Sequence, residues 1–518
     1  MVCVTLQVVW FKRDLRVFDH EALSRACLAG PVLCLYVIEP GYWHLGDTSR
    51  RQWLFVRESL LDLAEQLHSL GAHLVVRQGQ VTEVLQHIRQ AHGPFALHSH
   101  QETGNAWTYE RDKAVAGWCR AHTSPWHEYA QNAVTRPVAK RQLAFKDHRD
   151  AWAARPLFSV PSQATFAADV QGLPPEQWPL DMGSDLVPCP GRQSGGRAQG
   201  LALLGSFMGR RGQAYRGAIS SPLTAESACS RLSPYIAQGC LSLREVSQRA
   251  SQTEAQVSHG SWSRSLEAFA SRLAWHCHFI QKLETLPFME HTPVWPAAAR
   301  LHRPFDAAKF NAWKTGTTGW PLVDASMRYL QHHGWINFRM RAMLVSSATY
   351  SLSLPWQPVA QWLAQLFVDY EPGIHYPQVQ MQSGANGGTV LRMYNPVTQA
   401  TELDPEGRFV RQWVPELRQV SDTWIFEPWK MTPALRQHVG WTPEVGYPCP
   451  LVDFVAVHRA AKAEMTALRA GLDLESAAIA TGDSGSQKRP SSPASRSGAE
   501  RRQRAPTPAA SEQQFDLF

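Results

Sequence analysis

Short apolar runs rich in β-branched residues fall at Gln7–Phe11, Val32–Ile38, His73–Val76 and Phe95–His98. Between them lie longer amphipathic stretches at Glu21–Ala29, Arg51–Leu70, Val81–His92 and Thr108–His122, and a last short run falls at Trp126–Tyr129. Such alternation predicts a parallel sheet with helices on both faces, an α/β Rossmann-like domain over 1–130. No G-x-G-x-x-G follows the first run, so an ordinary dinucleotide-binding reading gains no support. Residues 131–199 are rich in Pro, Gly, Asp and Gln with weak periodicity, which predicts a long interdomain connector.

The pattern then changes. Over 200–471 helical periodicity is punctuated by Pro and Gly, and Leu266, Phe269, Leu273, Cys277 and Ile280 form an i, i+3/i+4 apolar stripe. Gly334 should end one helix (Val323–His333), with another beginning near Trp335. The second domain is therefore expected to be all-α. From 472 to 518 the apolar pattern is lost to Ser, Pro, Ala, Arg and Gln, a composition that predicts a disordered basic tail.

A chain of 518 residues fits two or three domains. The net charge of +7 tilts modestly toward a polyanion partner, although a basic tail alone gives the same balance. Nine cysteines without C-x-x-C or Cys/His ligand spacing point to free thiols in a reducing compartment, and no metal is expected. The apolar N-terminus lacks a basic leader and cleavage site, so it reads as a strand. No run approaches the roughly 18 apolar residues of a membrane span. A cytoplasmic location, no membrane contact and a monomer are the expectations.

Several clusters could carry chemistry. The charged phrase Trp10–Arg16 follows the first strand, at the sheet edge where ligands bind, although a structural salt-bridge cluster has the same residue types. Ser227–Pro234 gathers hydroxyls and a guanidinium ahead of a helix, suited to phosphate oxygens or to an ordinary cap. Arg272, Trp275, His276 and Phe279 share one helical face. Arg341 and Asp369, taken alone, read as surface charges.

As a set these words are more specific. Ser230-Arg231-Leu232-Ser233-Pro234, Gly334 to Arg341 and Phe367 to Pro396 stand in the order and spacing of the flavin pocket of the photolyase/cryptochrome family. Asp404 to Gly407 and Arg411 to Leu417 extend the resemblance, which covers the chain to about Gly471 in a divergent photolyase-related branch. It implies an antenna-type α/β domain, a helical FAD-binding domain and an optional antenna, a pterin (methenyltetrahydrofolate) or a deazaflavin. FAD contacts would come from Tyr215, Ser230, Arg231, Leu232, Ser233, Phe338, Arg341, Asp369, Glu371 and His375. Trp275, with Arg272 and His276, would meet a flipped-out lesion. His375 would face flavin N5, and Trp356 would keep the middle place in an electron relay.

The implied function is FAD-dependent, blue-light-driven repair of pyrimidine dimers in damaged DNA; the alternative is a photoreceptor without repair. Departures from the family pattern separate the two. Cys229 replaces a Thr, His375 takes the place of Asn, Arg272 that of a lesion-binding Glu and Phe338 that of Asn. Val379 occupies the flavin-proximal Trp position of the relay, and Arg303 lies near the distal one. The lesion type stays open.

The last five residues, Gln514-Phe515-Asp516-Leu517-Phe518, resemble the pentapeptide by which bacterial proteins dock on the sliding clamp; Gln514, Leu517 and Phe518 would be the anchors. An incidental apolar end is the alternative.

Overall fold

The structure, a computed structural model, describes residues 5–136, 145–162, 164–167, 170–184, 187–301, 303–387, 391–440 and 446–482. The clamp-like pentapeptide and the expected tail beyond residue 482 lie outside the described residues.

Five strands form one parallel sheet: β1 (Leu6–Phe11), β2 (Val32–Ile38), β3 (Leu74–Gln78), β4 (Phe95–His100) and β5 (Trp126–Tyr129). Their order is β3-β2-β1-β4-β5, with Val9 opposite both Cys34 and His98. Helices Glu21–Ala29, Arg50–His68, Val81–His92 and Ala106–Ala121 supply the crossovers. β2 is buried on both faces, as its unbroken Val/Leu/Ile/Cys/Tyr run requires. This is the expected α/β domain.

The connector departs from expectation. It contains a helix, Phe145–Ala154, and its chain returns to the first domain. Ala167 N–H donates to Val32 O at 2.9 Å and Leu173 N–H to Val76 O at 2.8 Å. Trp152 and Trp178 are 3 % exposed and pack into the core under the sheet, an anchoring that composition could not reveal.

The second half is helical. The stripe Leu266, Phe269, Leu273, Cys277, Ile280 is buried along the helix Ser261–Thr285. The helix Pro321–His333 ends at Gly334, whose φ of +65° is the left-handed cap a glycine accepts without strain. The next helix, Phe338–Ser346, starts after a turn through Trp335–Asn337. The final helix runs Phe454–Gly482, past the point where irregular chain was expected; its continuation carries Leu472, Leu474, Glu475, Ala477, Ala478 and Ala480, all good helix formers.

Candidate functional site

Three helices and the loop Cys229–Ser233 supply most of the walls of a cavity of about 330 Å³ in the helical half. That volume falls within the roughly 300–1,000 Å³ of small-molecule sites. The helix Ser261–Thr285 presents Phe269, Arg272, Trp275, His276 and Phe279 to it. The helix Phe338–Ser346 adds Phe338, Arg341 and Val345, and the helix Pro372–Ser383 adds His375, Gln378, Val379 and Gln382. Backbone contact between the first and third walls is close. A Cβ on Gly373 would stand 2.9 Å from Ile280 Cα.

The loop Cys229–Ser233 closes the fourth side with Cys229, Ser230, Arg231, Ser233 and, from the preceding segment, Tyr215. The helix it leads into is only Ser233–Ala237, too short to develop much of a dipole. Anion-holding capacity therefore rests on the hydroxyls and on Arg231. That residue adopts φ +60°, a left-handed backbone state costing about 1–3 kcal/mol outside glycine. Its guanidinium lies 4.1 Å from the Trp335 ring centroid and donates to Gln193 Oε1 at 3.0 Å. Leu232 is not in the lining; it is buried in the core beneath the loop.

Arg341 and Asp369 face each other across the floor of the cavity. Nη1 and Nη2 donate to Oδ1 and Oδ2 at 3.1 and 2.8 Å, and Nε donates to Ile336 O at 2.7 Å. The pair sits against Phe367, whose ring centroid is 4.1 Å from the guanidinium carbon. A fork-to-fork pair of this kind is among the stronger protein hydrogen bonds.

His375 also lines the cavity. Its Nε2–H donates to Ala360 O at 2.9 Å, which fixes that tautomer and leaves Nδ1 as the acceptor. Burial pushes its pKa down to about 4, so the imidazole is neutral near pH 7. Burial does the same to His276. Glu371 lies at the rim, 3.3 Å from Arg13 of the β1 loop. Burial raises its carboxyl to about 6 against the pull of Arg13. Arg13 also donates to Ala237 O and Tyr370 O.

Trp356 is not in the lining. It begins the helix Trp356–Leu366 and is buried in the apolar core. Val379, by contrast, does face the cavity. Sequence reasoning missed several lining groups, among them Trp335 and Tyr370, although both stand inside the words that carried the resemblance.

It also missed a set of buried polar atoms with no partner among the described residues. These are Asn337 Oδ1, Gln378 Oε1, His276 Nδ1 and both side-chain polar atoms of Gln382, all belonging to cavity-lining residues. Each would cost about 1–3 kcal/mol if left unsatisfied, so the cavity suits a ligand with several polar groups.

At the sheet edge the phrase Trp10–Arg16 is part of a closed ion network. Arg111 donates to Glu39, Glu102 and Asp112 at 2.9, 2.7 and 2.8 Å and covers the Trp10 ring. The space left there is about 50 Å³. Beside it, Asp14 Oδ2 accepts from His100 Nδ1 at 2.7 Å and lies 3.0 Å from His20 Nε2, a buried cluster that sequence spacing did not reveal.

Comparison with known proteins agrees with this geometry. A family model described as the FAD binding domain of DNA photolyase matches residues 269–467, and one described as DNA photolyase matches 7–146. A deoxyribodipyrimidine photo-lyase of Vibrio cholerae is 29 % identical over 86 % of this chain and 96 % of its own length. A cryptochrome DASH of Gloeobacter violaceus is 28 % identical over 86 % of this chain and 93 % of its own. Among solved structures, a class III photolyase from Agrobacterium tumefaciens superposes with a TM-score of 0.79 at 23 % identity, covering 90 % of this chain and 98 % of that one.

Proposed function

Because the chain belongs to the photolyase/cryptochrome family and carries that family's FAD-binding domain, we propose that it is a FAD-dependent, blue-light-driven DNA-repair enzyme acting on pyrimidine dimers. The observation that carries this is the Arg341–Asp369 pair on the floor of an otherwise largely apolar cavity.

The residues fit FAD. The unpartnered atoms of Asn337, Gln378 and Gln382 meet the need of a flat, polar-edged ring or its ribityl hydroxyls, and Ser230, Arg231 and Ser233 suit phosphates. When bound, FAD supplies one-electron chemistry under light. Arg341 and Asp369 hold fixed, opposite charges on the cavity floor, so they orient without reorganising. His375 offers a lone pair on Nδ1 and keeps its only proton on Nε2.

Trp275 supports repair over other uses of the cavity. It lines the cavity on the same face as Arg272 and His276, with its ring 5.7 Å from that of Phe279. An indole so placed can stack on an extruded base, and Arg272 can meet the phosphate or carbonyl oxygens beside it. A photoreceptor without repair is the second reading; Phe338 and Val379, apolar side chains in the lining where repair members carry Asn and Trp, favour it. The C-terminal pentapeptide is proposed to tether the enzyme to a bacterial sliding clamp.

The deciding experiment illuminates dimer-containing DNA with chemically prereduced protein. Dimer loss under blue light, with none in the dark, is expected. Intact dimers under both conditions would leave the receptor reading.

A further inference from the structure

Two buried tyrosines and one carboxylate adjoin the cavity floor in an arrangement that the repair chemistry leaves unused. The Tyr370 hydroxyl donates to Asp47 Oδ2 at 2.5 Å, and the Tyr376 hydroxyl lies 3.4 Å from the same oxygen and 3.3 Å from the Tyr370 hydroxyl. Tyr370 follows Asp369 in sequence and lines the cavity; Asp47 comes from the first domain and is 7 % exposed. We infer that Tyr370 is the immediate electron donor to bound, light-excited flavin, with Asp47 as the acceptor of its proton.

The inference rests on the FAD reading of the cavity. A flavin that reaches the protein oxidised needs an electron source. Val379 holds the lining position where an oxidisable ring would serve, and an aliphatic side chain cannot supply an electron. Trp356 is in the apolar core, outside the lining. The oxidisable rings that do line the cavity are Tyr215, Trp275, Trp335 and Tyr370.

Their surroundings differ. Trp335 carries the Arg231 guanidinium 4.1 Å from its ring centroid, and a positive charge there opposes formation of an indole radical cation. A phenol has another constraint. Once it loses an electron its hydroxyl becomes strongly acidic, so the proton must have somewhere to go. In a buried site that means a base already hydrogen-bonded to it. Of the two cavity-lining tyrosines, Tyr370 alone gives its hydroxyl to a carboxylate among the described residues. Trp275 remains the competitor, at the face assigned to the lesion.

The step balances. Tyr370 gives one electron to the flavin as its O–H bond breaks, and the proton forms an O–H bond on Asp47. A neutral tyrosyl remains. A solvent thiol then gives one electron to the tyrosyl and releases its own proton to water, while Asp47 returns its proton to the phenolate oxygen. Two thiyl radicals couple to a disulfide. Tyr376 is a positioning residue: its hydroxyl, within reach of both partners, keeps the carboxylate turned toward Tyr370.

The test uses the full-length, flavin-loaded protein with dithiothreitol as the thiol. Blue-light bleaching of the oxidised flavin band is followed at equal bound flavin in wild type and Tyr370→Phe. A rate at least tenfold lower in the variant is expected, and an unchanged rate overturns the inference. Wild-type protein frozen under illumination keeps the question answerable if the variant misfolds. A tyrosyl radical signal in its electron paramagnetic resonance spectrum is expected, and a tryptophanyl signal alone overturns the assignment. In Asp47→Asn the bleaching should slow and lose most of its solvent deuterium effect; bleaching as fast as wild type removes Asp47 from the step. Purified wild type without flavin sinks the FAD reading as well, which separates the two failures.

Discussion

Arg341 and Asp369 are 28 positions apart, yet they meet through two parallel hydrogen bonds of 3.1 and 2.8 Å. One stands on a helix wall and the other on the loop leading to the next wall. Asp369→Asn keeps the shape but removes the charge that the guanidinium answers. The Arg341 side chain is 21 % exposed toward the cavity, so the cost is discounted to about 2 kcal/mol, near that of a hydrogen bond to a charged group. Urea unfolding of the flavin-free protein should show that loss, and the flavin-to-protein absorbance ratio of the purified variant should fall severalfold. Full flavin occupancy in Asp369→Asn would refute the role given to the pair.

Trp275→Ala removes the cavity's stacking ring. Base stacking on an aromatic is worth about 1–3 kcal/mol, which corresponds to roughly 5- to 150-fold in affinity. Fluorescence anisotropy at fixed salt should show that weakening for dimer-containing DNA and little change for undamaged duplex. Equal weakening for both would mean that Trp275 serves general DNA contact or folding instead.

His375 should make the protein sensitive to acid. Burial lowers its pKa in the folded state to about 4, below the 6.5 of the unfolded chain. Between these values the unfolded state binds more protons, so this contribution is complete above pH 6.5 and is lost as pH falls toward 4. In His375→Gln that dependence is gone. The stability gap between wild type and variant should therefore narrow on acidification, by on the order of 3 kcal/mol across the window. Chemical denaturation at pH 7, 6, 5 and 4 gives the gap; a constant value contradicts a buried neutral imidazole.

Gly373 lets two cavity walls touch. Adding a Cβ places it 2.9 Å from Ile280 Cα and 3.0 Å from Ile280 Cγ1, and the first of these is backbone that cannot swing aside. Gly373→Val should force the helices Ser261–Thr285 and Pro372–Ser383 apart and lower the melting temperature by several degrees, as a loss of about 1–3 kcal/mol would. Unaltered melting would show that the walls have slack.

Deleting residues 514–518 should abolish co-elution of the full chain with a purified bacterial sliding clamp while leaving flavin content intact. Co-elution that survives the deletion, or none with the intact chain, removes the tether from the proposal.

Much of the architecture was legible because its signals are periodic. Strand runs such as Val32–Ile38 and the stripe from Leu266 to Ile280 fix their own burial, and Gly334 marks a cap that few other residues tolerate. The same holds for the face Arg272, Trp275, His276 and Phe279, which the 3.6-residue repeat turns to one side. What escaped was relational. Asp47 reaches Tyr370 from 323 positions away, Arg13 reaches Glu371 from the first domain, and Trp152 anchors the connector; no local pattern encodes such meetings. Leu232 failed as a lining residue for another reason. A motif lists the neighbours of a site without saying which of them point inward.

Arg13 gives the first domain a duty independent of any pigment. From the loop after β1 it grips Ala237 O, Tyr370 O and the Glu371 carboxylate, three points on the rim of a pocket that belongs otherwise to the helical half. The sheet thus acts as a buttress, with one guanidinium from its edge propping the neighbouring chamber. Trimming the protein to its helical half should forfeit the chamber's shape, a role the α/β half keeps whether or not it carries a ligand of its own.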